Sequence, residues 1–349
     1  MTTIRPSRSY RYWLLVKPDV TQPTGGIKQL HRLAEALGEL NREATLIQDK
    51  ADFHPGWFES SVNTISEAEW LKRTDLAPER DIVVMPETYN GEFLTFSPEL
   101  PKIIFNQNAA YSFGPPEAKS MHRPAGLIDI YQDPIIRHIF CVSQHDRNLI
   151  SEGFQAGNNR VSIIKNAIET ELFKPPKTKK KQLCYFPRKN AKDSMIVLEL
   201  MKRCDWFQSW SIVPIHKRPQ EEVRRIMQNS MLLLSFGHPE GFGLPVAEAM
   251  ASGCSVIGYS GLGGRELFKI GKAFGTTQEV AIGDYLQFVL ATKELNNAID
   301  KHGKDLARQL LAASAEIRRQ YNKEAMLQSV RAALIKIEKQ EPTTDRNQL

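Results

Sequence analysis

Short apolar runs alternate with stretches in which apolar residues recur every three or four positions, and this rhythm continues from Tyr12 to Ile337. The runs predict buried strands and the stretches predict helices crossing between them. Strands are expected over Tyr12–Val16, Thr45–Ile47, Ile82–Met85, Ile103–Phe105, His138–Val142 and Arg160–Ile164. Thr24-Gly25-Gly26 turns the first of these into a helix over Ile27–Leu40, with Leu30, Leu33, Ala34 and Leu37 on one face. The second half repeats the layout, with strands over Leu183–Phe186, Ser211–Ile215, Leu232–Phe236 and Ser255–Gly258 and helices over Ala191–Arg203, Pro219–Gln228 and Pro245–Ala251. A last pattern places Met326, Val330, Ala333, Leu334 and Ile337 on one helical face. Strand and helix in alternation predict an α/β protein with parallel sheets, built as two Rossmann-like units. Pro175–Lys181 reads as the linker between them, with Lys179-Lys180-Lys181 as its solvated basic part, and Glu341–Leu349 reads as a frayed tail.

Composition narrows the class. A chain of 349 residues with 41% hydrophobic content suits about two domains. Apolar runs such as Met231–Leu234 are far shorter than the roughly 20 residues of a membrane span. No signal-peptide core follows the basic start Met1–Arg11, so a cytoplasmic protein is expected. Cys141, Cys184, Cys204 and Cys254 are widely spaced, which favours reduced thiols over a disulfide framework or zinc site. The net charge of +6 is uneven: residues 1–170 carry 18 Lys and Arg against 21 Asp and Glu, leaving 28 against 19 for the rest. A basic half attracts anions in general, but the lysine run lacks the interleaved aromatics of a nucleic-acid surface, and no nucleic-acid partner is expected.

The densest chemistry lies in His238-Pro-Glu-Gly-Phe-Gly-Leu-Pro-Val-Ala-Glu-Ala-Met-Ala-Ser-Gly253. Pro245 suits the first turn of a helix, which leaves the amides of Phe242, Gly243 and Leu244 facing outward to attract anions and hydroxyls. Glu240 precedes that helix and Glu248 lies about one turn inside it, so two carboxylates approach one small volume from different sides. A charge-assisted hydrogen bond from a sugar hydroxyl contributes roughly 1.5–3 kcal/mol and rewards correct placement. Either glutamate alone would read as a favourable charge at a helix start. A second cluster, Tyr185-Phe-Pro-Arg-Lys-Asn-Ala-Lys192, follows a strand and opens a helix, so that Arg188 and Lys192 can face a diphosphate, with Lys189 competing for that role. Gly261-Leu-Gly-Gly-Arg-Glu266 follows the Ser255–Gly258 strand, as a plain turn or as a close backbone approach to a ligand.

Glu-x7-Glu enclosing Gly-Phe-Gly-Leu-Pro and followed by Ala-Met-Ala-Ser-Gly resembles the donor-site signature of the GT-B glycosyltransferases, in particular the large retaining family numbered four. The resemblance implies two Rossmann-like domains facing each other across a cleft, with a C-terminal helix returning to the N-terminal domain. It sets the acceptor-side domain at 1–168 with the returning helix at 322–340, the nucleotide-sugar domain at 169–321, and a tail at 341–349. It implies transfer of a sugar from a nucleotide-sugar donor to a glycan or lipid-linked acceptor, with retention, as in cell-envelope polysaccharide assembly; a lipid-linked acceptor would bring peripheral membrane contact. Arg188, Lys192 and Glu240 would be catalytic. Glu248 would bind the ribose, and Gly241, Phe242, Gly243 and Leu244 the donor sugar. Gly25 and Gly26 would contact phosphate or acceptor. Neither metal nor cofactor is expected, since the cations stand in for a metal, and the chain has no Asp-x-Asp. One departure stands out: where many members of that family place a histidine, this chain has Asn106-Gln107-Asn108, amides that can bind a sugar but cannot exchange a proton. His54, His122, His145 and His238 are the candidate substitutes, His238 first because it adjoins Glu240. That departure motivates an alternative, a catalytically inert GT-B subunit that binds a nucleotide sugar or glycan. Donor base, sugar, acceptor and oligomeric state are left open.

Overall fold

The computed structural model describes residues 10–89, 91–113 and 128–339. They divide into two compact units. The first contains the residues up to Val142, Asp146–Lys165 and the chain from Met326 onward, and the second contains Ser143–His145 and Asn166–Ala325. The chain thus crosses at 165/166 and returns at 326, against the 168/169 and 322 expected from sequence. His122 and the expected tail at 341–349 lie outside the described residues.

The first unit is one parallel sheet in the order β3-β2-β1-β4-β5-β6-β7. Its strands are β1 (Arg11–Leu15), β2 (Glu43–Gln48), β3 (Asn63–Ser66), β4 (Asp81–Pro86), β5 (Lys102–Asn106), β6 (Ile136–Cys141) and β7 (Val161–Ile163), with α1 (Gly25–Glu39), α2 (Glu67–Trp70) and α3 (Gln144–Asn148) among them. Residues 81–86 and 102–106 are buried throughout, as the near-continuous apolar runs required. Leu30, Leu33, Ala34 and Leu37 form the buried stripe of α1.

The second unit is a five-stranded parallel sheet in the order β12-β11-β10-β8-β9. Its strands are β8 (Lys180–Tyr185), β9 (Ser211–Pro214), β10 (Ser230–Ser235), β11 (Ser255–Gly258) and β12 (Thr277–Glu279). The helices are α4 (Ala191–Lys202), α5 (Gln220–Asn229), α6 (Leu244–Ala251), α7 (Arg265–Ala273) and α8 (Tyr285–Gln320), the last broken in its helical geometry at His302. The closing helix, α9 (Lys323–Glu338), buries Met326, Val330, Ala333, Leu334 and Ile337. Of these, the larger side chains each contribute roughly 1.5–3 kcal/mol. From Met326 onward α9 belongs to the first unit. Arg137 donates to the Ile337 carbonyl at 2.9 Å, and Arg42 pairs with Glu338 at 2.7 Å.

The lysine run corrects the sequence reading. Lys180 and Lys181 belong to β8, and the Lys179 ammonium donates to the carbonyls of Met227, Gln228 and Ser230 at 2.9, 3.2 and 2.7 Å. Lys181 pairs with Asp300 at 2.6 Å. Part of the basic excess is therefore structural: Lys179 gathers carbonyls at the end of α5 and the start of β10.

Candidate functional site

In the second unit β8 runs on to β9 on one side, while β10 lies on its other side, so the sheet changes winding direction between β8 and β10. The carboxyl ends of parallel strands at such a point open a crevice. Here it is a hollow of about 560 Å³, solvent mouth included, lined by Phe186, Arg188 and Lys189 after β8, by Ser235 at the end of β10, and by Gly237, Glu240 and Gly243 after it. Phe236 forms the floor, stacked on Phe288 at 4.9 Å.

Two loops build the rim. Asn190, in the left-handed region at φ 51°, donates to the Phe236 carbonyl at 2.7 Å and the His238 carbonyl at 3.2 Å, which ties the loop after β8 to the loop after β10. Lys189 reinforces this join, its ammonium lying 2.9 Å from Glu240 Oε1 and 2.8 Å from the Pro239 carbonyl. Glu240 is held from behind by the glycine-rich turn after β11. Its amide donates to the Gly261 carbonyl at 2.8 Å, and its carbonyl accepts from Gly263 at 3.0 Å. A Cβ on Gly263 would lie 1.9 Å from the Gly241 carbonyl oxygen, and one on Gly261 would lie 2.5 Å from Glu240 Cβ. Glycine at these positions lets the turn pack against the Glu240 backbone; the close approach is to protein main chain.

The helix start after Glu240 has the expected form. Gly243 adopts φ +88°, Pro245 falls in the first turn of α6, and the Val246 and Ala247 amides return to the Gly243 carbonyl at 2.9 and 3.1 Å. Among the described residues no backbone carbonyl accepts from the amides of Phe242, Gly243 or Leu244. These donors and the cations after β8 suit an anion that also carries hydroxyls. Burial, followed by the Lys189 charge, holds His238 below its ordinary pKa, with Glu240 opposing. Burial, followed by the charge of Arg265, lowers His145 as well.

The remaining expected residues are placed as follows. Arg188 is exposed on the rim of the hollow. Lys192 is exposed on α4 and is not among the lining residues, whereas Lys189 is. Its neighbour Asp193 is committed to the hydroxyls of Tyr259 and Tyr285 at 2.8 and 3.0 Å. Glu248 is half-buried on α6 and does not line the hollow. Gly241 and Phe242 are buried, with the Phe242 ring packed on Tyr321 at 4.9 Å, and Leu244 is half-buried.

In the first unit, Gly25 and Gly26 begin α1, and the Gly26 carbonyl accepts from Gln107 Nε2 at 3.1 Å. Asn106 does not face a ligand: it closes β5 on a buried face, and its amide donates to Ser112 Oγ at 2.8 Å and the Tyr131 hydroxyl at 2.9 Å. Asn108 is buried and caps a turn through Ala110 at 3.2 Å. Of the three amides only Gln107 is partly exposed, and it serves α1. His54 is exposed and accepts from the Gly56 amide at 3.0 Å.

Two residues, Asn190 and Glu87, escaped the sequence reading, and spacing alone left the choice between Lys189 and Lys192 open. Asn190 was hidden because an asparagine in the left-handed region has no sequence period. Glu87, at the end of β4 and 3% exposed, accepts from the Gln107 amide at 2.9 Å, and burial pushes its pKa up to about 7. Its signal was an acidic residue directly after a fully apolar strand. Among the described residues no group of three or more His, Cys, Asp or Glu side chains is placed to hold a metal ion. Among them, too, no helix is long and apolar enough to cross a membrane.

Residues 211–306, which span β9 to just past the break in α8, match the family described as glycosyl transferases group 1. The match lies wholly within the second unit. A segment of 94 residues is 33% identical to an alpha-1,6-glucosyltransferase of Actinobacillus pleuropneumoniae serotype 7 (strain AP76), and this match spans 26% of this chain and 28% of that relative's length. Solved structures extend the likeness to nearly the whole chain. A glycosyltransferase from Rickettsia africae superposes with a TM-score of 0.67 at 13% identity, covering 95% of this chain and 100% of that one. A sucrose-phosphate synthase from Thermosynechococcus elongatus gives 0.69 at 14% identity, covering 94% and 99%. The Anabaena protein HepE, in complex with UDP-glucose, gives 0.65 at 15% identity, covering 93% and 99%. The fold is GT-B, two parallel-sheet units with a C-terminal helix.

Proposed function

We propose that this chain is a glycosyltransferase of the group 1 type whose second unit holds a nucleoside diphosphate sugar in the hollow between β8 and β10. The observation that carries this reading is the meeting of Arg188, Lys189 and Glu240 at the winding-reversal point, beside the unengaged amides of Phe242–Leu244. Arg188 meets the diphosphate, with Lys192 as a second cation on the adjoining turn of α4. Glu240 and the amides bind sugar hydroxyls; the ribose role of Glu248, which does not line the hollow, rests on the resemblance stated above. In the reaction the bond from the anomeric carbon to the phosphate oxygen breaks with its electron pair leaving on the diphosphate. The acceptor hydroxyl forms the new glycosidic bond and gives up its proton, which the departing phosphate takes. Fixed cations stabilise that leaving charge more in the transition state than in the ground state. Retention, independence from metal and a glycan or lipid-linked acceptor belong to this reading through the resemblance stated above. UDP-glucose is the first donor to try, given the UDP-glucose complex of HepE and the glucosyltransferase relative.

A second reading, an inert nucleotide-sugar-binding subunit, is favoured by one observation: Asn106 and Asn108 are absorbed into the fold where an ionisable side chain would sit on the first unit. Release of UDP from UDP-glucose without acceptor separates the two readings. We expect slow hydrolysis, reduced about 10²-fold in Arg188→Ala with the melting temperature unchanged. Binding without hydrolysis would favour the inert subunit.

A further inference from the structure

The pairing of Lys189 with Glu240 occupies the groups that the donor would use. Lys189 extends from the loop after β8 and Glu240 from the loop after β10, and they meet at 2.9 Å with side chains 21% and 25% exposed. Neither loop can open easily at this point, because Asn190 ties both to the Phe236 and His238 carbonyls and the Gly261–Gly264 turn holds the Glu240 backbone. The Glu240 side chain is closely confined as well: a Cβ on Gly237 would stand 2.8 Å from Glu240 Oε1. The ammonium has more freedom, since it also donates to the Pro239 carbonyl at 2.8 Å and can pivot on that contact while exchanging its other acceptor.

We propose that the Lys189–Glu240 ion pair is a diphosphate-operated latch, in which an incoming diphosphate takes Lys189 from Glu240 and thereby frees the carboxylate for the sugar. This rests on the donor reading above and deepens it: it makes Lys189 a positioning residue for Glu240 and imposes an order. A diphosphate carries enough charge to compete with a carboxylate for an ammonium, and a neutral sugar does not. The hollow therefore accepts nucleoside diphosphates first, discriminates against free sugar, and completes its sugar-binding groups only when the diphosphate is seated.

The test is a double-mutant cycle on UDP and glucose binding, followed by calorimetry, with wild type, Glu240→Gln, Lys189→Met and the double variant; GDP and ADP replace UDP if it gives no heat. Glu240→Gln breaks the pair while keeping the cation, so UDP should bind about two- to five-fold more tightly than to wild type, the range of a partly exposed ion pair. That gain should vanish in the Lys189→Met background, because there is no latch left to release. Glucose should bind the wild type only in the presence of UDP. A gain that persists without Lys189 would mean simple repulsion between Glu240 and the diphosphate, and would overturn the latch alone. Glucose binding equally well without UDP would overturn it too. Absence of binding by any of the three diphosphates to any variant would overturn the donor reading itself, and the latch with it.

Discussion

His31 is 2% exposed on α1, its Nδ1 2.9 Å from Ser60 Oγ, and burial, reinforced by His54 and Arg32, lowers its pKa to about 4. Between pH 6.5 and 4 the unfolded chain binds a proton that the folded chain refuses, so His31 costs stability as pH falls through that window. Glu87 acts in the opposite sense. Its folded pKa of about 7 lies above the ordinary carboxyl value, so its contribution is fully present below pH 4.5 and is lost as pH rises through 7. Melting temperatures across pH 4–8 should show His31→Gln gaining on wild type as pH falls below 6.5, and Glu87→Gln gaining on wild type as pH rises toward 8. Curves parallel to wild type would refute both assignments. Neither residue was legible beforehand, because a single sequence does not show that a polar side chain is enclosed. Asn106 failed for the same reason: its place at a strand end was read to within a residue, its inward orientation was not.

At the scale of elements, the turn after β11 braces the Glu240 loop, and the brace depends on missing side chains. Gly263→Ala sets a Cβ against the Gly241 carbonyl and forces the two turns apart, which should cost about 1–3 kcal/mol of stability and weaken nucleotide binding together. Denaturant unfolding and calorimetry on the same variant check this; unchanged values in both would show that the turns are not coupled. The strands that form the crevice, β8 and β10, were legible to within three residues because buried parallel strands are short unbroken apolar runs. β3 and β12 were not: they are three or four residues long and largely half-exposed, which leaves no such run. Helix α8 was missed because its buried positions, Phe288, Ala291, Leu306, Leu310 and Ile317, are separated by polar turns and a break at His302. Lys179 misled for a different reason, since a lysine run beside two prolines has the composition of a linker even when its ammonium groups are spoken for.

At the scale of the molecule, each unit closes its own parallel sheet, and the chain passes into the second unit briefly at Ser143–His145, crosses again at 165/166 and returns through α9. Alternating patterns predicted that duplication, and the structural relatives confirm the fold at 13–15% identity, where little beyond the pattern is shared. The candidate site is more local, lying within the second unit, where the group 1 match also falls. The most direct test is the melting temperature of the full chain with UDP, GDP and ADP, in wild type and Arg188→Ala. A ligand held only by the native state raises stability by about 2.7 kcal/mol at a hundred times its Kd. The account predicts a rise of several degrees with at least one diphosphate, lost in Arg188→Ala; no rise with any of the three, or an equal rise in the variant, would contradict it.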